Sequence, residues 1–231
     1  MRVALQYLSW LLWFPLDVLV IAGLLRGAYR RFPLIFAYSI ALFFTSAIEV
    51  AAYTGYFSGV RLSHTRATYY WIDEGIRQGL LFAVVISLLY QATANLRSRA
   101  AVRSLLIAAA VLFAGLSFLI HYDSHAVVGR WMTLWTRDLS FSSAILDLAL
   151  WVILLGARRA EVQLLMLSGA LGIQFAGEAI GQTLRHQFPS MVMVGNVTII
   201  ATSLACPYIW WQVFRTSPVK RPSVPVRSQN S

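Results

Sequence analysis

The sequence predicts an all-α membrane protein, a bundle of seven transmembrane helices, from its composition and from the length of its apolar segments. Hydrophobic residues make up 58% of the chain and charged residues only 12%, whereas about 25% of the residues of a typical soluble domain are charged. A helix needs about 20 predominantly apolar residues to cross the hydrocarbon core of a bilayer. Seven segments of this kind lie near residues 4–25, 34–57, 69–92, 104–122, 135–156, 163–185 and 191–214.

The first segment of the chain is apolar, whereas its last sixteen residues are polar and basic. The first apolar segment follows Arg2, contains Asp17 and is followed by no small-residue cleavage site, so we expect a retained membrane span rather than a signal peptide. The seven segments are joined by short connections, so we expect residues 1–215 to form one transmembrane domain. Residues 216–231 are rich in proline and serine and also basic, which is typical of a disordered tail that attracts anionic lipid.

The basic residues predict the orientation of the bundle. Twelve of the nineteen Lys and Arg residues lie after the first, third and fifth segments or in the tail. Because cytoplasmic loops carry an excess of Lys and Arg, we expect the N-terminus outside and the C-terminus in the cytoplasm of a bacterial inner membrane. The net charge of +10 then reflects topology, and we expect no nucleic-acid partner. The twelve residues are Arg26, Arg30, Arg31, Arg97, Arg99, Arg103, Arg158, Arg159, Arg215, Lys220, Arg221 and Arg227.

Two glycines in the sixth segment indicate close helix packing. Gly177 and Gly181 are separated by three residues, and this small-xxx-small pattern lets the backbone of a neighbouring helix approach closely. We therefore expect another helix to pack tightly against this face of the sixth segment.

The third segment opens with four strongly polar side chains, Asp73, Glu74, Arg77 and Gln78. A charged residue at membrane depth costs about 3 kcal/mol on insertion scales, so such residues usually face the bundle interior or a water-filled cavity. Asp73 and Arg77 are four residues apart, a spacing that suits an ion pair on one helix face. These residues indicate a polar site near the outer boundary of the membrane.

Polar residues on other segments reach the same predicted depth. Glu49 approaches it from the second segment and Glu178 from the sixth, so the pattern predicts an outward-facing polar cleft that binds a small ligand or an accessory partner, for instance another membrane protein. Ion pairs between helices, such as Arg77 with Glu178 or Glu49, would instead only lock the bundle, and the sequence leaves both interpretations open. The polar stripes are Ser46, Glu49 and Tyr53; Ser140, Ser143 and Asp147; and Gln174, Glu178, Gln182 and Arg185.

An alternative interpretation is a membrane-embedded, metal-dependent lipid hydrolase. His121 and His125 are four residues apart and could bind Zn from one helix face, with His186 and Asp123 completing the ligand set. A bound metal would activate water for hydrolysis. Interfacial histidines without a ligand are the more ordinary explanation, so we expect neither a catalytic residue nor a cofactor. A small secondary transporter is a third interpretation, although no internal repeat supports it.

Two further classes are excluded by single residues. A retinal protein needs a lysine in its last span, and the only lysine of the chain, Lys220, lies in the tail. The only cysteine, Cys206, excludes an internal disulfide and a cysteine-rich metal site.

Short motifs in the first three segments carry a resemblance. Arg30-Arg31-Phe32-Pro33 enters the second segment and is followed by Phe36 and Tyr38, and Tyr69-Tyr70-Trp71 precedes Glu74. In these motifs the chain resembles a group of uncharacterised bacterial multi-pass membrane proteins. At the end of the third segment it has Tyr90-Gln91 where that group has a Tyr-Glu pair. The resemblance implies a seven-span architecture and no particular activity.

Overall fold

The computed structural model describes residues 2–53, 63–93, 99–122, 128–156 and 161–216. In these residues the chain forms seven long α-helices and two short 3₁₀ turns, without a strand, which confirms the all-α prediction. The helices are α1 (Arg2–Leu25), α2 (Pro33–Tyr53), α3 (Ser63–Ala92), α4 (Arg99–His121), α5 (Val128–Gly156), α6 (Val162–Gln187) and α7 (Val192–Thr216).

Three of the described helices are long and apolar enough to cross a membrane, by length and composition. They comprise Leu134–Gly156 in α5, Val162–Arg185 in α6 and Val192–Thr216 in α7. Shorter apolar stretches lie in α1, α2 and α4. The seven helices occupy the positions of the seven predicted apolar segments, while the seven-span topology stays a prediction.

The turn between α1 and α2 shows why this sequence reverses direction here. Gly27 has a φ of 125°, a backbone conformation that glycine adopts without the steric penalty of a side chain. A 3₁₀ turn follows at Ala28–Arg30, and Pro33 is the first residue of α2. Proline suits the first helical position because its fixed φ is helical and its missing N–H would have no helical partner there.

Six of the helices form a closed ring, in which α1, α2, α3, α5, α6 and α7 each pack against the next, and α7 packs against α1. The remaining helix, α4, lies outside this ring against α5 and the edge of α3. A small apolar cluster of Phe82, Ala110 and Leu139 joins these three helices. Side chains that interact between helices distant in the ring must therefore meet in its interior.

The main apolar core fills only one half of the ring, the half in which α1, α3, α5 and α7 end and α2 and α6 begin. We call it the apolar half. Its largest fully buried side chains include Trp210, Phe32 and Leu24, and the Trp210 indole N–H donates a hydrogen bond to the Leu167 carbonyl at 3.3 Å. Among the described side chains, none of this core cluster lies at the other end, which carries the connection between α6 and α7, and we call that half the polar half.

The predicted close approach of a helix to Gly177 and Gly181 is confirmed. The neighbour is α7, which runs antiparallel to α6, and Gly195 of α7 faces Gly181. A Cβ atom added at Gly195 would lie 2.7 Å from the Gly181 carbonyl oxygen, closer than real Cβ contacts. The missing side chains are what allow this crossing.

The outward faces of the bundle are apolar. Along α5, five large side chains recur every three or four residues and each is more than half exposed. An apolar surface of this extent is unfavourable in water and suits contact with lipid, which replaces water around a membrane bundle. These side chains are Phe141, Ile145, Leu148, Val152 and Leu155.

Candidate functional site

Arg77 of α3 lies in the polar half of the ring and forms its nearest ion pair within its own helix. Its guanidinium group donates to the Glu74 carboxylate, three residues earlier. The predicted pairing with Asp73 is therefore wrong as a contact, although Asp73 lies within electrostatic range of Arg77. Both spacings place side chains on one helix face, so the local spacing left the choice between Asp73 and Glu74 open. The Arg77 side chain keeps 42% of its surface accessible.

Glu178 of α6 lies within electrostatic range of Arg77 across the ring, although no ion pair joins these two described residues. The charges of Glu178 and Arg77 interact, and α5 lies between α6 and α3 in the ring order. The interaction therefore passes through the interior of the ring. The structure thus brings together Glu74, Asp73, Arg77 and Glu178, four of the five residues that the sequence singled out.

Two neutral polar residues extend this cluster to a third helix. The Gln174 side-chain amide donates a hydrogen bond to Glu178 Oε1 at 3.3 Å, and Gln174 also interacts with the Tyr38 hydroxyl. Tyr38 is buried on α2, and its ring contacts Trp210 edge-on with centroids 5.9 Å apart. Because α2 lies opposite α6 in the ring, the interaction between Tyr38 and Gln174 also crosses the interior.

The sequence analysis did not assign Tyr38 to the site, because Tyr38 lies among apolar residues and belongs to no polar stripe. A buried tyrosine hydroxyl usually finds a hydrogen-bond partner. A tyrosine within an apolar segment was therefore the signal that could have identified it.

Gln78 points to a different neighbour. Its side-chain amide donates to the Ser140 hydroxyl of α5, and Gln78 is buried. Gly75, three residues earlier, leaves space for Met132 of α5, whose methyl carbon would lie 3.0 Å from an added Cβ. These contacts join α3 to α5 and hold the helix that carries Arg77.

The polar stripe predicted on the fifth segment does not form one surface in the cleft. Ser143 donates to the Leu139 carbonyl of its own helix at 2.7 Å. Asp147 is buried and accepts a hydrogen bond from the Ser168 hydroxyl of α6 at 2.8 Å. Its contact with the neighbouring helix explains the disagreement, because helix periodicity predicts a shared face but not which helix that face meets.

A second polar cluster lies outside the ring, where α4 packs on α5. Asp138 Oδ2 lies 2.9 Å from His121 Nε2 and accepts a hydrogen bond from the Ser117 hydroxyl, also at 2.9 Å. The Trp135 indole N–H donates to the Ala114 carbonyl at 3.3 Å. These bonds fasten α4 to α5, so the observed role of His121 is a helix contact.

The predicted metal ligands do not come together in the described part of the chain. No group of three or more His, Cys, Asp or Glu residues there could hold a metal ion. Asp123 and His125 lie outside the described residues, as do the side chains of His186 and Glu49. Of the proposed metal ligands, His121 is therefore the one whose side chain the structure describes.

Asp17 of α1 is a buried acid that the sequence analysis placed only within the first span. It is 1% exposed, and in the described residues its Oδ2 atom has no hydrogen-bond partner. An unpartnered buried carboxyl is unfavourable, so Asp17 lowers the stability of the α1 packing.

No protein-family model, curated protein or solved structure matches this chain. The resemblance to bacterial multi-pass membrane proteins accordingly stays a prediction. The chemistry of the site follows from its side chains alone: carboxylates, a guanidinium, an amide and a phenol supply charge and hydrogen bonds, which are the means of holding a polar ligand.

Proposed function

We propose that this protein is a seven-span integral membrane protein that is not itself an enzyme and that binds a small cationic or polar ligand, or an accessory membrane protein, through a polar cleft. One observation carries the proposal. Polar side chains of α2, α3 and α6 lie within electrostatic range of Arg77, and α6 is a ring neighbour of neither α2 nor α3. Ionisable residues at membrane depth are functional by default because their placement is costly.

The accessibility of Arg77 supports binding over a purely structural lock. An ion pair that fastens two helices joins a side chain of each, whereas the Arg77–Glu74 pair lies within α3 and leaves 42% and 24% of the two side-chain surfaces accessible. The opposite half of the ring is filled by the apolar core. A cleft here would accordingly open towards one side of the membrane only.

The distribution of arginines supports an outward-facing cleft. Arg26, Arg30, Arg31 and Arg215 lie at the end of the ring that belongs to the apolar half, and an excess of arginine marks the cytoplasmic side. The polar half then faces outwards, in a cytoplasmic membrane with the N-terminus outside. The apolar outer face of α5 and the seven helices support seven spans.

The charges favour a ligand with a positive group. Asp73, Glu74 and Glu178 are three carboxylates around one guanidinium, that of Arg77. Electrostatic complementarity favours ligands of opposite charge to the site. A small organic cation is therefore the first ligand class to test.

The decisive experiment compares Arg77→Leu with Arg137→Leu, a control whose side chain is 71% exposed on α5. Each full-length variant is purified in mild detergent, and its membrane insertion, unfolding and bound small molecules are measured, the last by mass spectrometry of the extract. Partners are captured in membranes by cross-linking. We expect Arg77→Leu to insert, to fold and to lose the bound molecule or partner that the wild type and Arg137→Leu retain.

Two other results would contradict the proposal. If Arg77→Leu fails to insert or fold while Glu178→Gln folds and binds like the wild type, Arg77 is a structural lock. If Arg77→Leu folds and retains every bound molecule and partner, the cleft is not the binding site.

A further inference from the structure

Helices α1 and α7 lie side by side and end together in the apolar half. They run parallel, because both end at this side of the ring, and they meet closely at Gly23 and Phe214. A Cβ atom added at Gly23 would lie 3.1 Å from Phe214 Cβ. The Phe214 side chain is buried and packs on Phe32 with ring centroids 5.9 Å apart. Two packed helices leave a shallow groove along their line of contact, and we call the outer surface along this contact the α1–α7 groove.

On α7, aromatic side chains on the outward face along this groove are followed by an arginine. Tyr208 is 50% exposed and lies next to Trp211, with ring centroids 5.9 Å apart. The guanidinium of Arg215 lies over the Trp211 ring at 5.4 Å, and Arg215 is exposed. Tyrosine and tryptophan concentrate at the level of lipid headgroups, so these side chains place Arg215 at that level.

On α1, the outward face along this groove also ends in an arginine. Leu19 and Arg26 lie four residues before and three residues after Gly23, on the same helix face, and both are exposed, as is Ala22 between them. In the described part of the chain, neither Arg26 nor Arg215 forms an ion pair. Both cations are therefore exposed at a helix end, without a charged partner among the described residues.

Two neighbouring arginines differ from Arg26 and Arg215 in having hydrogen-bond partners among the described side chains. Arg31 contacts the Glu161 carboxylate and the Gln163 amide, so its charge is matched. Arg30 donates to the Tyr29 hydroxyl at 3.1 Å, a bond that raises the pKa of Arg30. Arg30 lies beyond the groove towards α2 and adds positive charge at its rim.

We propose that the α1–α7 groove binds one anionic phospholipid, with the phosphate held by Arg26 and Arg215. Arginine binds phosphate oxygens with two parallel hydrogen bonds, and basic pockets between helices on the cytoplasmic side are suited to anionic headgroups. The acyl chains would lie along Leu19 and Ala22 of α1 and beside Tyr208 of α7. This site is separate from the polar cleft and from the basic tail.

The test measures lipid binding to the full-length protein by native mass spectrometry, with phosphatidylglycerol and phosphatidylcholine added at equal concentration. We expect phosphatidylglycerol to bind more tightly. Each arginine near a membrane surface contributes about a fivefold gain in affinity, so Arg26→Gln together with Arg215→Gln should weaken phosphatidylglycerol binding by about 25-fold. The double Arg→Lys variant keeps both charges but not the two parallel hydrogen bonds of arginine, so it should recover only part of the lost affinity.

Several outcomes would overturn the proposal. Equal binding of the two lipids, or unchanged phosphatidylglycerol binding by the folded double Gln variant, excludes recognition by these arginines. A similar loss in Arg137→Gln, a control at the opposite end of the bundle, shows a general effect of charge. Displacement of the lipid by an equal concentration of glycerol phosphate shows a site for free phosphate without a contribution from the acyl chains. The result does not depend on whether the polar cleft binds its ligand.

Discussion

The crossing of α6 and α7 gives a stability prediction whose size follows from measured distances. In Gly195→Ala the new methyl group would lie 2.7 Å from the Gly181 carbonyl oxygen and 2.9 Å from Arg185 Cγ. Ordinary contact begins at 3.4 Å, so the two helices must separate by the difference, about 0.7 Å. The carbonyl belongs to the backbone and has no rotamer to change, and overpacking of this kind costs about 1–3 kcal/mol.

A matched control isolates that cost. Glycine-to-alanine substitution in a helix also gains about 1 kcal/mol of helix propensity. Gly79→Ala in α3 carries the same gain without a clash, because no atom lies within 4 Å of the added Cβ. The difference in the free energy of unfolding between the two variants is therefore the clash itself, about 1–3 kcal/mol.

The assay is unfolding of each purified variant in mixed detergent micelles by increasing fractions of denaturing detergent, followed by far-ultraviolet circular dichroism. We expect Gly195→Ala to unfold at a lower fraction than Gly79→Ala. Unfolding free energies that agree within about 0.5 kcal/mol, the range of ordinary surface substitutions, would refute the close crossing.

The remaining predictions concern three buried or interhelical contacts and the metal content of the protein. Trp210→Phe should lower the free energy of unfolding by about 1–3 kcal/mol, because the Leu167 carbonyl loses its indole donor; an unchanged unfolding curve would contradict this contact. Asp147→Ala should cost a similar amount by removing the acceptor of the Ser168 hydroxyl, and Ser168→Ala in the same background should then cost little more, which a double-mutant cycle measures. His121→Ala should speed hydrogen exchange in α4 while leaving α6 unchanged, because His121 helps to fasten α4 to α5. For metal, protein purified through a tag without histidines should contain far less than one ion per chain; stoichiometric Zn that is lost in His121→Ala would instead support the hydrolase interpretation.

Part of the polar cluster around Arg77 could be assembled from the sequence. Arg77, Glu178 and Gln174 could be placed together because helical spacing fixes which residues share a face, and segment length fixes their depth. The sequence did not point to Tyr38, because Tyr38 lies among apolar residues and outside the polar stripe of its segment. The sequence did not show that Glu74 rather than Asp73 is the ion-pair partner of Arg77, because both spacings are allowed on one helix face.

The contacts of Asp138 and Asp147 could not be predicted from the sequence either, and here the reason is different. Asp138 contacts α4 outside the ring, and Asp147 contacts Ser168 on α6. Both outcomes depend on which helices are neighbours. Periodicity describes one helix at a time and contains no information about the helix that it meets.

The all-helical fold, the positions of the described helices and the glycine surface on α6 follow from the sequence, because hydrophobic length, helix propensity and small-residue spacing are properties of local segments. The ring order, the place of α4 outside it, and the division into an apolar and a polar half are visible only once the helices are packed together. These features arise from many packing contacts between residues far apart in the chain, each small by itself. The polar cluster around Arg77 depends on both, since local spacing aligns its members and the ring order brings α2, α3 and α6 to one interior.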